Sequence, residues 1–369
     1  LATALRLLGR FDEARDALNR AIELSPEDYE SYVLRSSLRT QTAENNNVDS
    51  LVEVLDRLPE DDRGRIPLSY SLAKELEDLE KYEESFGYLQ QGAAARRESV
   101  SYDLDEDLEI MRLMREVYTK DVFDGADQGF VNAEPIFIIG LPRTGTLLVD
   151  RILSGHSVVR ATPESRTLSA VIHKQCEVVV PGVSGVAVEL VPATLQLNFA
   201  EVGEAYVAQA RPTANPQAHF IDKRPLNFLF AGPLHRALPK AKIIWLRRDP
   251  MDTCLSGYFQ DFSVSHPYSY DLQNLGVYYK QYRKIMHNWK NVLSLPIMDV
   301  SYEDMVANQE AVSRKLIEFC GLEWDQRCLE FYNNERFVGT ASYDQVRRPM
   351  YSTSSGRWKN YEQYLGPLR

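Results

Sequence analysis

Four consecutive apolar residues, Ile136-Phe137-Ile138-Ile139, run without a break into Gly140-Leu141-Pro142-Arg143-Thr144-Gly145-Thr146-Leu147-Leu148. No other segment constrains the fold as much. A short all-apolar run that stops at a glycine is a strand buried on both faces, and such strands belong to parallel sheets covered by helices. Gly140 and Gly145 permit tight turns that aim successive N–H groups inward, and the helix that follows points its positive end at the same place. Strand, loop and helix together form an anion site suited to phosphate. Arg143 adds a permanent, forked cation. Two further apolar runs, at 241–246 and 295–300, alternate with helical patterns at 147–153, 270–293 and 304–320. That alternation specifies an α/β domain, a P-loop-like parallel sheet with helices on both faces.

The two loop glycines have the spacing of a nucleoside-triphosphatase loop, but the chemistry differs. Thr146 stands where that loop needs its lysine, and Leu147 stands where a hydroxyl must hold Mg²⁺. An apolar side chain cannot ligate a hard cation. The expected ligand is therefore a phosphate compound handled without a metal. Charge distribution puts that ligand in the back of the chain. Residues 1–133 carry 30 acids against 16 bases, and the remainder carries 23 against 26. Neither part has a Lys/Arg stripe, which excludes nucleic acid as the partner class.

The acidic front half reads as helical. Gly9, Phe11, Ala14, Leu18 and Ala21 precede Pro26, and this order resembles the second half of a tetratricopeptide repeat. A weaker copy runs through Leu72-Ala73, Lys81-Tyr82, Ser85, Leu89 and Gly92, with an irregular centre at 44–47 between them. The expected organisation is an all-α repeat-like domain over 1–120, a turn-rich linker over 121–133 and the α/β domain over 134–369. The most apolar stretch, 178–195, is interrupted by Pro181, Gly182, Gly185, Glu189 and Pro192, so no membrane span is expected. Cys176, Cys254, Cys320 and Cys328 form no CxxC pair and read as reduced core thiols. With no signal-like segment at Leu1, the expected location is cytoplasmic and the chain is expected to be a fragment or a trimmed form.

The loop resembles the 5′-phosphosulfate loop of sulfotransferases, commonly Pro-Arg-Ser-Gly-Thr-Thr-Leu in the protein-tyrosine and bacterial repeat-linked branches. It departs at Leu147, where a second Thr is usual. Arg248 and Ser256, eight residues apart after the 241–246 run, resemble that family's 3′-phosphate motif, with Arg247 as the alternative arginine. Lys223, in Asp222-Lys223-Arg224-Pro225, matches its central lysine. Glu164, twenty-one residues after Arg143, matches the catalytic Glu of the tyrosine branch. Tyr302 matches a Tyr near the adenine, and Ser342 and Arg357 match residues that close over the nucleotide.

The resemblance implies the sulfotransferase fold, the cofactor 3′-phosphoadenosine 5′-phosphosulfate (PAPS) with adenosine 3′,5′-bisphosphate as product, and a hydroxyl-bearing acceptor. It implies a cofactor set of Arg143, Thr144, Gly145, Thr146, Leu147, Arg248, Ser256, Tyr302, Ser342 and Arg357. It implies Glu164, Arg143, Lys223 and Ser342 as catalytic residues, with no metal. Pro225 stands where the small-molecule branch has a histidine base, which favours Glu164; His173 and His219 are the alternatives. The repeat-like front implies a helical groove able to hold a peptide acceptor. Two other readings stay open: an interaction protein whose α/β domain binds a nucleotide without turnover, and a metal-dependent kinase of unusual sequence.

Overall fold

The computed structural model describes residues 1–124, 129–182, 188–212, 219–333, 350 and 354–368. By packing, these form two compact units that are not contiguous in sequence. One comprises Leu1–Tyr102, Cys254–Val277 and Gly356–Arg369, the other Asp103–Thr253 and Tyr278–Ser355.

The first unit is helical. Its helices are α1 (Ala2–Leu7), α2 (Phe11–Leu24), α3 (Tyr29–Ser37), α4 (Val48–Arg57), α5 (Arg65–Asp78) and α6 (Tyr82–Glu98). The turn before α2 and the turn before α6 have the same geometry. Gly9 and Glu80, each two residues ahead of the helix, stand at φ +73° and +59°. Arg10 and Lys81 follow at nearly identical angles and bond back to Leu5 and Leu76. Ala14 and Ser85, then Leu18 and Leu89, occupy matching buried positions. The two turns and the buried positions that follow them thus match at equal offsets. Between them, Tyr32, Leu51, Leu55, Leu68, Leu72 and Leu76 form one apolar cluster. The irregular stretch at 44–47 is fixed by Glu75. This fully buried carboxylate accepts bonds from Ser36 Oγ (2.5 Å), Asn47 N (2.6 Å) and Asn47 Nδ2 (2.8 Å).

The outer face of that last hairpin is covered by the chain's own distant segments. Phe86 stacks on Tyr364 at 4.5 Å, and Ser85 Oγ lies 3.1 Å from the Tyr361 hydroxyl, with Ser85 and Tyr361 fully buried. Arg96 holds Asp261 through two bonds of 2.9 and 2.7 Å.

The second unit is a three-layer α/β structure. Among the described residues its sheet has five parallel strands: β1 (Pro135–Ile139), β2 (Val159–Ala161), β3 (His219–Lys223), β4 (Lys242–Arg247) and β5 (Ile297–Ser301), in the order β2-β3-β1-β4-β5. Ile136, Ile138, Ile221, Ile244, Leu246 and Val300 pack on one face against α8 (Thr146–Ser154), α15 (Tyr302–Ala307) and α16 (Gln309–Phe319). Alternate residues face the other side. There Phe137 meets Tyr206 of α11 (Phe199–Ala210), and Trp245 donates to Tyr282 of α14 (Leu272–Val292) at 2.5 Å. The remaining helices are α7 (Leu104–Val117), α9 (Thr167–Val179), α10 (Leu190–Ala193) and α12 (Ala231–Ala237), while α13 (Pro250–Tyr258) is divided between the units after Thr253.

The α/β expectation holds, with two additions. β2 and β3 are strands that apolar runs did not mark. The helical pattern at 304–320 is two helices, broken at Asn308, whose φ of −136° is not helical. All four cysteines are buried and outside any disulfide. Burial pushes the thiols of Cys176 up to about 11 and of Cys320 and Cys328 up to about 12, so they stay protonated. Among the described residues no helix is long and apolar enough to cross a membrane.

Candidate active site

β1 lies in the middle of the sheet, between β3 and β4, so the strand order reverses there. In open parallel sheets ligands bind beyond the carboxyl ends of the strands at such a reversal. The glycine loop follows β1 at that point. Gly145, at φ +98°, caps α8. A Cβ there would lie 2.7 Å from the Tyr302 ring, so only glycine fits. Arg143 also takes the left-handed conformation, at φ +71°. A non-glycine residue held there is strained, and such strain concentrates at functional sites. Thr144 Oγ donates to the Leu141 carbonyl at 2.8 Å and closes the turn.

The side chains that chemistry would need come from the ends of neighbouring strands. Lys223 ends β3 and is 4% exposed, yet its Nζ donates to Glu164 Oε2 at 2.5 Å. Glu164 is carried by the segment after β2. Thr162 pins that segment to β3, both its N–H and its hydroxyl bonding to the Ile221 carbonyl. The structure therefore brings Lys223 and Glu164 together from positions 59 residues apart. The turn after Lys223 reaches the loop as well, because Gly140 N–H donates to the Pro225 carbonyl at 3.2 Å.

Arg248 follows β4 and is buried. It donates to the Arg143 carbonyl at 3.1 Å and to the Ser354 carbonyl, with its guanidinium 5.0 Å from the centre of the Tyr302 ring. Arg247 pairs instead with Asp299. Of the two arginines, Arg248 is the one joined to the loop. Tyr302 begins α15 and packs against Gly145. Thr144 and Thr146 are buried in the loop. Leu147 turns its side chain into the apolar core beneath the sheet, leaving its backbone N–H as the group able to serve an anion.

Ser256 and Arg357 belong to the helical unit. Ser256 lies buried on α13. Arg357 is paired through two bonds with Glu77 of α5 and lies 4.1 Å from the centre of the Phe259 ring. Ser342 lies outside the described residues. His219 opens β3 opposite Val159, about 13 Å of strand away from Lys223. His173 sits on α9 against Phe230, and burial, with the Arg224 charge, lowers its pKa.

One group at this end of the sheet escapes the motifs. Asp222 is 3% exposed and accepts from the Tyr206 hydroxyl at 2.8 Å and from Asn227 Nδ2 at 3.0 Å. Burial raises its pKa to about 6. The signal available in sequence is an acid inside a strand too buried to solvate it.

A family model described as the sulfotransferase family matches residues 135–326, just over half of the chain. The chain is 27% identical to an uncharacterised protein of Aquifex aeolicus (strain VF5) over 390 residues, covering 100% of this chain and 49% of that protein. It is 22% identical to protein-tyrosine sulfotransferase of Drosophila melanogaster over 241 residues, covering 60% of this chain and 46% of that one. The chain thus spans about half the length of these relatives. Among solved structures, the sulfotransferase domain from the Synechococcus PCC 7002 olefin synthase aligns with a TM-score of 0.46 and 20% identity, over 63% of this chain and 89% of that one.

Proposed function

The chain belongs to the sulfotransferase family, and from that premise we propose that it moves a sulfuryl group from PAPS to a hydroxyl acceptor, with Glu164 as general base. The observation that carries this reading is the Lys223–Glu164 contact of 2.5 Å at the carboxyl end of β3. The loop fits the group. Its glycine cradle would be filled by a single Cβ at Gly145, its helix end favours an anion, and its side chains offer no hydroxyl at 147 for a metal.

PAPS supplies the activated sulfuryl group when bound. Glu164 takes the acceptor's proton while the new oxygen–sulfur bond forms. That protonation cancels the charge to which Lys223 is paired. Lys223 would then be free to meet negative charge on the leaving group of the transfer. Arg143 and the loop N–H groups meet charge on the same side, and such preorganised donors are commonly the largest catalytic term. Arg248, bonded to the loop at the Arg143 carbonyl, would hold the 3′-phosphate. Tyr302, against Gly145, completes the set within the α/β unit.

Two measurements test this. Adenosine 3′,5′-bisphosphate should raise the melting temperature while ATP with Mg²⁺ leaves it unmoved, since ligands of the native state stabilise it by mass action. Equal shifts with both would sink the PAPS assignment. With labelled PAPS and a panel of hydroxyl acceptors, Glu164→Gln should lose turnover by about 10²-fold or more and keep its bisphosphate affinity. Collapse in a His173 or His219 variant instead, with Glu164→Gln near normal, would move the base. Leu147 favours a second reading, nucleotide binding without turnover. Tight PAPS binding with no product from any acceptor would support it.

A further inference from the structure

Asp222 takes no step in the transfer, yet it is an acid buried at the end of β3, beside Lys223. Both carboxylate oxygens are engaged, Oδ2 by the Tyr206 hydroxyl at 2.8 Å and Oδ1 by Asn227 Nδ2 at 3.0 Å. Tyr206 is itself fully buried, packed on Phe137 of the central strand. Asn227 belongs to the turn that follows β3, and its N–H closes that turn on the Arg224 carbonyl at 3.0 Å. The same turn presents the Pro225 carbonyl to the Gly140 N–H, the first residue of the phosphate loop. In the sheet Asp222 stands opposite Phe137 and Lys223 opposite Ile138. One carboxylate therefore ties together the end of β3, the turn after it and the start of the loop.

A buried carboxylate is an expensive way to do this. Its burial favours the neutral form, with the nearby Glu164 charge pushing the same way and Tyr206, Arg224 and Asn227 opposing. Replacing buried polar groups by apolar ones of similar shape is often neutral or stabilising, so stability alone gives no reason for an acid here. Its bonds fix direction instead. Neighbouring residues of a strand point to opposite faces. Holding Asp222 on one side fixes where Lys223 leaves on the other.

We propose that Asp222 is a positioning residue, which aims Lys223 at the atoms held by the phosphate loop by locking β3 to the 224–227 turn. This rests on the sulfuryl-transfer reading of Lys223. Asp222→Asn keeps the shape but removes the charge and one of the two acceptors, so that the Tyr206 hydroxyl must turn to accept from the new amide. It should lower kcat by about 10-fold or more while bisphosphate Kd and the KM for PAPS stay within about threefold. Tyr206→Phe removes a single hydroxyl and is the gentler variant. It should lower kcat several-fold with the same unchanged Kd. A merely structural residue gives another pattern, in which both variants melt earlier but the folded protein turns over at the normal rate; that pattern would overturn the proposal. Lys223→Ala separates the two ideas. If Lys223→Ala collapses while Asp222→Asn and Tyr206→Phe keep kcat, the positioning role alone fails. If Lys223→Ala is near normal, the transfer reading of Lys223 fails with it.

Discussion

At Gly145 a methyl group would meet the Tyr302 ring at 2.7 Å, and the backbone already stands where L residues rarely go. Gly145→Ala should therefore cost about 2 kcal/mol or more of stability and weaken bisphosphate binding, read by urea unfolding and titration calorimetry. Glu80 predicts the opposite sign. It is an exposed glutamate in the left-handed position that Gly9 fills in the matching turn. Glu80→Gly should stabilise by up to about 1 kcal/mol, seen as a higher urea midpoint at constant m. An unchanged midpoint would mean that the flexibility gained by the unfolded chain cancels the relief. Residues of this kind differ in how far sequence reveals them. The loop was legible because all its parts are contiguous, and a glycine pair after an apolar run has few meanings. Asp222 was not, because its partners Tyr206 and Asn227 are fixed by the turn and by a helix rather than by any local pattern.

Among the elements, β1, β4 and β5 announce themselves as apolar runs, whereas β3 reads His-Phe-Ile-Asp-Lys. A strand carrying three polar residues looks like a loop until Asp222 and Lys223 find buried partners. β2 is only three residues long and is defined by its pairing with β3. The repeat-like hairpins were legible for the reason that the loop was, since small residues at fixed offsets dictate close helix approach. What their spacing could not reveal is the cover on α6. Phe86 is buried against Tyr258, Tyr361 and Tyr364 from segments far along the chain. Phe86→Ala should cost about 3–5 kcal/mol in thermal or chemical unfolding. A loss below about 1 kcal/mol would show that the aromatic contacts are loose in solution.

For the molecule as a whole, acid sensitivity follows from two buried groups of opposite sign. His235 packs beside Phe123, its Nε2 2.9 Å from Ser294 Oγ, and burial together with Arg236 lowers its pKa to about 4. The unfolded chain binds a proton at this histidine near pH 6.5, and the folded chain does not until about pH 4. Its contribution is complete above 6.5 and is lost as pH falls towards 4. Asp222, raised to about 6 by burial, works the other way: the folded state gains on the unfolded as pH falls from about 6 towards 3.8. His235→Gln should flatten the decline in unfolding free energy between pH 6.5 and 4. Asp222→Asn should steepen it below pH 6. An unaltered pH curve in both variants would place the titrating groups elsewhere.

The discontinuous make-up of the helical unit has a consequence for synthesis. Of the segments that cover α6, Cys254–Val277 follows residues 1–102 by about 150 residues and Gly356–Arg369 by about 250. At roughly 5–20 residues per second, that face of Phe86 stays open to the cell for on the order of 10–50 s. During that interval the nascent chain displays an uncovered aromatic ridge, and any factor that shields such surfaces has its window there. Within residues 1–369 the helical unit is begun before the α/β unit and completed after it.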